Sequence, residues 1–367
     1  MRVLLACPYD WHAPGGVQVH IRQLGAVLRD RGHRVLVLAP GDAPAAEAWV
    51  RIVGRPVRVP YRGTVAPISF SPSAWAKVRG RVRAFAPDVV HVHEPLTPSV
   101  SMLTTLAADA PVVATFHAYL DRSRLMEFAG PVLRRIHRRI SVSVAVSDAA
   151  AAFLRRVVRG PIEVVPNGVD VERFSHPGPC PEGLPAGRVI LWVSRLDPQK
   201  GFPVMVRAFH RVALDTEDVW LVVVGEGRDR GAIDLLPESL RTRVLMRGVI
   251  PNEELHPYHG AADVFAAAAT GQESFGYILV EALAAGVPVV ATDIPGYREV
   301  VRDGVEGLLV PPDDPAALAG ALGRVLDEPD LARALATAGR ERARAFSWDE
   351  VAPRLEAVYR RAVSAAR

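Results

Sequence analysis

Cysteine, lysine and long apolar runs are all scarce in this chain. Its 367 residues include 2 cysteines, Cys7 and Cys180, far apart in sequence. Two distant cysteines exclude a disulfide framework and the paired spacing of a cysteine zinc site, and make a reducing cytosol the expected compartment. No apolar run reaches the roughly 20 residues that cross a bilayer as a helix. The stretch MRVLLACPYD has one arginine and a very short apolar run before a proline and an aspartate, so it reads as a first strand rather than a targeting segment. Neither a low-complexity tract nor a short-period repeat is present.

The scarcity of lysine is informative against its background. Of 44 basic residues only Lys77 and Lys200 are lysine, and the rest are arginine. A lysine kept in such a chain suggests a need for a compact ammonium rather than a planar fork. Charge is also uneven. Residues 1–170 carry 22 basic and 12 acidic side chains, whereas residues 171–367 carry 22 and 28. The basic half suits an anionic partner, whether nucleic acid, a membrane face or a phosphorylated substrate. A solvated arginine-rich surface would give the same count.

Short apolar runs alternate with helix-like stretches. RVLLAC (2–7), RVLVLA (34–39), DVVHVH (88–93), PVVATF (111–116) and SVAVS (143–147) read as strands. So do RVILWVS (188–194), VWLVVVG (219–225), RVLMRG (243–248), DVFAAA (263–268) and PVVATD (288–293). Near-continuous apolar strands separated by helices indicate parallel sheets covered on both faces. The expected fold is α/β, with two doubly wound Rossmann-like domains facing a deep cleft. The proline-rich SHPGPCPEGLPAG (175–187) reads as the linker between residues 1–174 and residues 188–347. A last helix begins after Ser347, with Asp349 and Glu350 in its first turn.

Ligands of such sheets bind beyond the carboxyl ends of the strands, so the residues following strands are the candidates. Gly15 and Gly16, in APGGVQVH (13–20), open a helix whose N-terminus would face an anion. VSRLDPQKG (193–201) brings Arg195 and Lys200 onto one loop, a pair of cations suited to a departing pyrophosphate. VVGEGRD (223–229) and RGVIPNEEL (247–255) resemble backbone cradles for a nucleotide. TGQESFGYILVEALAAGVPVVATD (270–293) combines Glu273 in a loop with Glu281 in the second turn of a helix that Gly286 would cap. Buried carboxylates need donors, and sugar hydroxyls are suitable ones. The N–H groups of Phe275, Gly276 and Tyr277 would open that helix. In HVHEP (91–95), His91 and His93 share one side of a strand, but no third ligand cluster is evident and no metal site is expected. His117 ends a strand at a switch-point position; alone, such a histidine is more often structural. SPSAWAKVRGRVRAF (71–85) reads as an amphipathic helix. It places Trp75, Val78, Val82 and Phe85 on one stripe and Lys77, Arg79, Arg81 and Arg83 beside it. It would either face a core with a solvated rim or dock on anionic lipid.

Taken together these residues resemble the retaining glycosyltransferases of the GT-B architecture and, within them, the actinobacterial phosphatidylinositol α-mannosyltransferases. The E-x7-E of Glu273 and Glu281, SRLDPQKG, VPNGVD (165–170) and the post-strand glycine pair carry the first likeness. CPYDWHAPGGVQVH, VPYRGTV (59–65), HVHEPLTPSVSML (91–103), VATFHA (113–118) and ESFGYILVEALAAG (273–286) carry the second, and the likeness spans essentially the whole chain. The resemblance implies GDP-mannose as donor, an inositol lipid as acceptor, no required cofactor with a divalent ion such as Mg2+ optional, and no nucleic acid. It implies a peripheral protein on the cytoplasmic face of an anionic membrane, with the basic helix as docking element. Residues 348–367 would cross back to the first domain. Arg195 and Lys200 would bind the pyrophosphate, Glu281 the ribose and Glu273 the mannose. Gly225 and Ile250 would lie by the nucleotide, and Ser274, Phe275, Gly276 and Tyr277 would place backbone against the donor. Gly15 and Gly16 would approach its phosphates, and His117 would sit beside the sugar. Tyr9, Gln18, Tyr61, Arg62 and Arg122 would face the acceptor.

The acceptor side departs from the pattern. Arg62 stands where an amide is expected, Pro67 where a basic residue would meet the inositol phosphate, Ala118 where a threonine is expected, and Arg122 where a lysine is expected. His12 is also unusual. Another cyclitol, lipid or small-molecule acceptor is the first alternative. A sugar-nucleotide epimerase and a noncatalytic nucleotide-sugar binder follow. No motif nominates a carboxylate beneath the anomeric carbon, and no D-x-D metal motif is suitably placed. A front-face displacement with retention is therefore the expected chemistry.

Overall fold

Valine and isoleucine crowd the strand segments, and their branched side chains suit a pleated surface buried on both faces. The computed structural model describes residues 1–13, 15–61, 64–117, 136–157, 160–271 and 273–366; for 58–61, 64–67 and 157 only the backbone is described. The chain forms two units, Met1–Gly168 with Trp348–Arg367, and Val169–Ser347.

The strands of the first unit are β1 (Arg2–Ala6), β2 (Arg34–Pro40), β3 (Val50–Gly54), β4 (Val57–Tyr61), β5 (Thr64–Ile68), β6 (Val89–His93), β7 (Val112–Phe116), β8 (Ile140–Ala145) and β9 (Ile162–Val164). Seven make one sheet in the order β3-β2-β1-β6-β7-β8-β9, while β4 and β5 form a separate antiparallel hairpin. Every pairing in the seven-stranded sheet is parallel. In the second unit, β10 (Arg188–Val193), β11 (Val219–Val224), β12 (Val244–Met246), β13 (Val264–Ala267), β14 (Val289–Thr292) and β15 (Gly307–Val310) pair in parallel in the order β12-β11-β10-β13-β14-β15. Strand order reverses beside the first strand of each sheet, between β1 and β6 and between β10 and β13. Such reversals open a crevice at the carboxyl ends, because the connections on either side leave in opposite directions. The sequence reading missed β3, the β4–β5 hairpin, β9 and β15. Of these, β3, β9 and β15 are short sheet edges, where a continuous apolar run is not required.

Alternation along β1 sends Val3 and Leu5 to one face of the sheet and Leu4 and Ala6 to the other. The first face is covered by the helix Gly16–Asp30 and by the last helix, Trp348–Ala365, which contributes Val351, Leu355, Val358 and Tyr359. Burying such side chains stabilises by about 1.5–3 kcal/mol each. The opposite face is covered in part by the helix Pro72–Phe85, which Ser71 caps by accepting from the Ala74 N–H at 3.1 Å. Val78 and Val82 are buried there, with Trp75 and Phe85 packed beside them. The apolar stripe of this helix is therefore turned inward. Trp75 is not a free lipid anchor, whereas Lys77, Arg79, Arg81 and Arg83 are exposed.

The proline-rich 175–187 stretch is not where the units divide. Division falls at Gly168/Val169, and Val169 donates its N–H to the Phe346 carbonyl at 2.8 Å and bridges to Ser347. The short helix Val171–Ser175 buries Phe174 against the His259 ring, and Gly260 lies flush on Pro177. Prolines 177, 179, 181 and 185 thus belong to the second unit, and punctuation alone misplaces the boundary.

A buried side-chain link ties the last helix to the sheet of the first unit. His91 Nδ1 and the Tyr359 hydroxyl lie 2.7 Å apart, and His91 Nε2 lies 2.7 Å from Thr115 Oγ1, with all three residues buried. Tyr359→Phe leaves a ring nitrogen buried without a partner, which costs about 1–3 kcal/mol. The urea midpoint of the variant is expected to fall with an unchanged m-value. An unshifted midpoint would show that the link contributes nothing.

Candidate active site

In the second unit the loops after β10 and β13 meet at the strand-order reversal. The β10 loop ends in a single 3-10 turn, Pro198–Lys200, closed by Gly201 in the left-handed region at φ 73°. A Cβ on Gly201 would lie 1.9 Å from the Ala268 carbonyl oxygen, so only glycine lets this loop press on the end of β13. Thr270 donates its N–H to the Gln199 carbonyl at 3.0 Å and joins the two loops. These contacts bring the Lys200 ammonium against a Glu273 carboxylate oxygen as a direct ion pair, with each side chain more than four-fifths covered. Gly296 backs the acidic loop, since a Cβ there would lie 2.1 Å from the Glu273 carbonyl oxygen. Arg195 is exposed on the same β10 loop and pairs with Asp197 at 3.2 Å.

The helix Tyr277–Ala285 begins just beyond Glu273. Gly276 is its N-cap without a side-chain hydrogen bond, and Gly286 caps its C-terminus at φ 72°. A helix start without a side-chain cap is suited to an anion. Glu281 lies in the second turn and is 2% exposed. Its Oε1 accepts from Asn252 Nδ2 at 2.7 Å. Burial raises its pKa to about 7, opposed by the Asn252 hydrogen bond and by the positive charge of Arg173. Ile250 is half-buried on the loop that carries Asn252. Gly225 donates its N–H to the Gly248 carbonyl at 2.7 Å, and the Ser194 carbonyl would lie 1.8 Å from any Cβ on Gly225. The ends of β10, β11 and β12 are thus drawn together backbone to backbone.

In the first unit the loop after β1 leads through Gly15, the N-cap, into Gly16–Asp30. A Cβ on Gly16 would meet nothing within 4 Å, whereas one on Gly15 would lie 2.6 Å from Gln18 Oε1. Gln18 is buried and donates Nε2 to the Asp10 carbonyl at 3.1 Å, which commits this nitrogen to the Tyr9–Asp10 turn. Tyr9 bridges to Ile68, beside the hairpin. Tyr61 is described by its backbone alone, and Arg62, Ala118 and Arg122 lie outside the described residues.

The first unit also gathers histidines that the sequence keeps apart. Ring nitrogens of His20, His93 and His117 come within 4.8 Å of one another, the one group of three such ligands among the described residues that could hold a metal ion. His93 Nδ1 lies 2.8 Å from His117 Nε2, and the two rings stack at 5.1 Å. His20 stands edge-on to both. Glu94 follows β6 with φ 50°, an uncommon conformation for a side chain of its size, and its carboxylate accepts the His117 backbone N–H. The sequence reading set metal aside for want of a third ligand near His91 and His93. It missed His20, which sits one helical turn beyond Gly16, and it missed Glu94 as the support of His117. Asn252 and Gly296 were missed too, because neither carries a motif; each acts through a contact across the fold.

The comparisons agree with this geometry. Residues 184–342 match the model described as glycosyl transferases group 1, and residues 14–173 match glycosyltransferase family 4. A phosphatidyl-myo-inositol mannosyltransferase of Mycolicibacterium smegmatis is 37% identical over 98% of this chain and 93% of its own length. One from Mycobacterium tuberculosis is 39% identical over 98% and 96%. The solved sucrose-phosphate synthase of Thermosynechococcus elongatus superposes with a TM-score of 0.78 at 24% identity, covering 99% of both chains, and supports the fold. Two parallel sheets of this order, the paired lysine and glutamate at the second reversal and these full-length identities lead to one conclusion: the chain is a glycosyltransferase of the GT-B fold and belongs to the family of the phosphatidyl-myo-inositol mannosyltransferases.

Proposed function

We propose that the enzyme transfers an α-mannosyl group from GDP-mannose to the inositol ring of phosphatidylinositol, with retention, at the cytoplasmic face of a membrane. The observation that carries this reading is the Lys200–Glu273 pair beside the N-terminus of Tyr277–Ala285. Lys200 and Arg195 neutralise charge that grows on the diphosphate as the glycosidic bond breaks, and the helix N-terminus adds its partial charge. Glu273 orients the sugar hydroxyls, and Glu281 accepts from the ribose. From the first unit, the family likeness assigns His117 to the sugar and Gly16 to the donor phosphates. The departing phosphate oxygen takes the proton of the attacking inositol hydroxyl on the same face, so configuration is kept without a covalent intermediate. Any divalent ion would add to charge neutralisation at the diphosphate.

The reading also rests on the exposed cations of Pro72–Phe85. No helix among the described residues is long and apolar enough to cross a membrane. With the stripe of this helix turned to the core, docking is electrostatic, and Lys77, Arg79, Arg81 and Arg83 supply it. Each is worth about 1 kcal/mol near an anionic surface.

The decisive experiment is a panel of nucleotide sugars presented with liposomes containing phosphatidylinositol. Mannosylated lipid formed from GDP-mannose alone of the panel supports the proposal. Turnover of another pair overturns the substrate assignment, and conversion of a donor without any acceptor overturns the transferase reading of this site. Lys200→Ala is expected to lower kcat by about 10²–10³, the usual loss for one transition-state charge partner. Replacing all four helix cations by glutamine is expected to weaken binding to anionic vesicles at least about tenfold and to spare binding of GDP. Glu281 gives a pH signature. Its ionised form is the stronger acceptor for a ribose hydroxyl, and its pKa of about 7 lies above the ordinary 4.5. Donor affinity is therefore greatest well above pH 7. It falls as pH drops through that value, approaching about tenfold per unit. Glu281→Gln removes this dependence; a donor KM profile shared by wild type and variant would contradict it.

A further inference from the structure

Four histidines, His20, His91, His93 and His117, pack together at the carboxyl end of the first sheet, and the role proposed for His117 leaves His20 and His93 unexplained. Ring centroids of His91 and His93 are 4.4 Å apart, and those of His93 and His117 are 5.1 Å apart. His91 is accounted for, since Tyr359 and Thr115 occupy both its nitrogens. His93 is not. Its Nδ1 meets His117 Nε2 at 2.8 Å, while its Nε2 is buried with no hydrogen-bond partner.

Burial disfavours the imidazolium form throughout the cluster and pushes the pKa of His117 down to about 3 and that of His93 well below its ordinary value. Each ring then carries one N–H. A hydrogen bond between two neutral rings needs one donor and one acceptor, so only two proton arrangements are open. If His117 donated from Nε2, the proton of His93 would be forced onto its own Nε2, a buried N–H with nothing to accept it. If His93 donates from Nδ1, its Nε2 is left as a bare lone pair. Buried N–H groups without acceptors are rarer in proteins than under-used acceptors, so the second arrangement is favoured. Asn167 agrees in sense: its side chain works to raise the His117 pKa, as an oxygen near a ring N–H does, and its Oδ1 is buried with no hydrogen-bond partner of its own, an acceptor open to such a donor.

We propose that His93 is a positioning residue: it donates its Nδ1 proton to His117 Nε2 and fixes His117 as the Nδ1–H tautomer. His117 then offers a hydrogen-bond donor, rather than an acceptor, to Asn167 or to a bound hydroxyl. The His20 ring, both of whose nitrogens are buried without partners, closes the side of the pair and excludes water that would let the proton exchange. The functional consequence rests on the reading that His117 contacts the sugar; the tautomer itself does not.

Two measurements on the full-length protein separate these. Long-range proton–nitrogen NMR of histidine-labelled enzyme, with His117 assigned by its loss in His117→Gln, is expected to show protonated Nδ1 and bare Nε2 at His117. A His117 protonated on Nε2 overturns the proposal, and this test stands even where mannosyl transfer fails. In turnover, His93→Ala is expected to lower kcat about 10- to 100-fold, as supporting residues of a site commonly do, while donor KM changes by less than about threefold. His93→Asn places an amide N–H near the lost Nδ1 donor and is expected to recover most of the rate. A His93→Asn enzyme as impaired as His93→Ala, with both variants folded, refutes positioning through this hydrogen bond. So does one equivalent of zinc retained by the purified wild type and lost in His20→Phe, because a metal on these nitrogens would displace the proton between them.

Discussion

The contact between Lys200 and Glu273 is the constraint around which the second unit is arranged. Two oppositely charged side chains, each largely covered, are held together where strand order reverses. Removing charges from water is costly, and such a pair persists only where its geometry is set by its surroundings. Here the surroundings are backbone. Gly201 presses on Ala268, Gly296 on Glu273, and Thr270 is bonded to Gln199. On the proposed assignment, an arriving diphosphate would find a cation already desolvated, and a sugar a carboxylate whose position is settled. The cost of ordering both groups has been met during folding rather than during the reaction.

The two carboxyl-end crevices differ in electrical character. In the second unit the paired groups are charged, and Glu281 is raised to about 7 by burial, against the opposing pull of Asn252 and Arg173. In the first unit the groups are neutral rings whose burial suppresses ionisation.

Much of this was legible in the sequence, and the parts that were not share a cause. Strands such as VWLVVV and RVILWV are apolar on both faces and can be read directly, as can the helix ending at Gly286, because local composition determines them. The loops carrying Lys200 and Glu273 were legible because glycines and charges immediately follow those strands. What stayed hidden depends on distant partners. The break at Gly168 depends on Val169 pairing with Phe346 and Ser347, far along the chain. The orientation of Trp75 depends on a sheet face that helical periodicity cannot identify. His20 joins His93 and His117 only when a helix is laid against β6 and β7.

The return of the last helix to the first unit has a consequence for how the protein is made. The sheet that begins with Arg2–Ala6 is only partly covered on one face, by Gly16–Asp30, until Trp348–Ala365 leaves the ribosome, after the whole of Val169–Ser347 has been synthesised. At ordinary elongation rates that interval is roughly 10–40 s. Throughout it, Val113, Val144 and the His91 ring lack the helix that later buries them, while the continuous second unit is free to fold alone. The first unit therefore cannot complete its packing before the second unit has been translated.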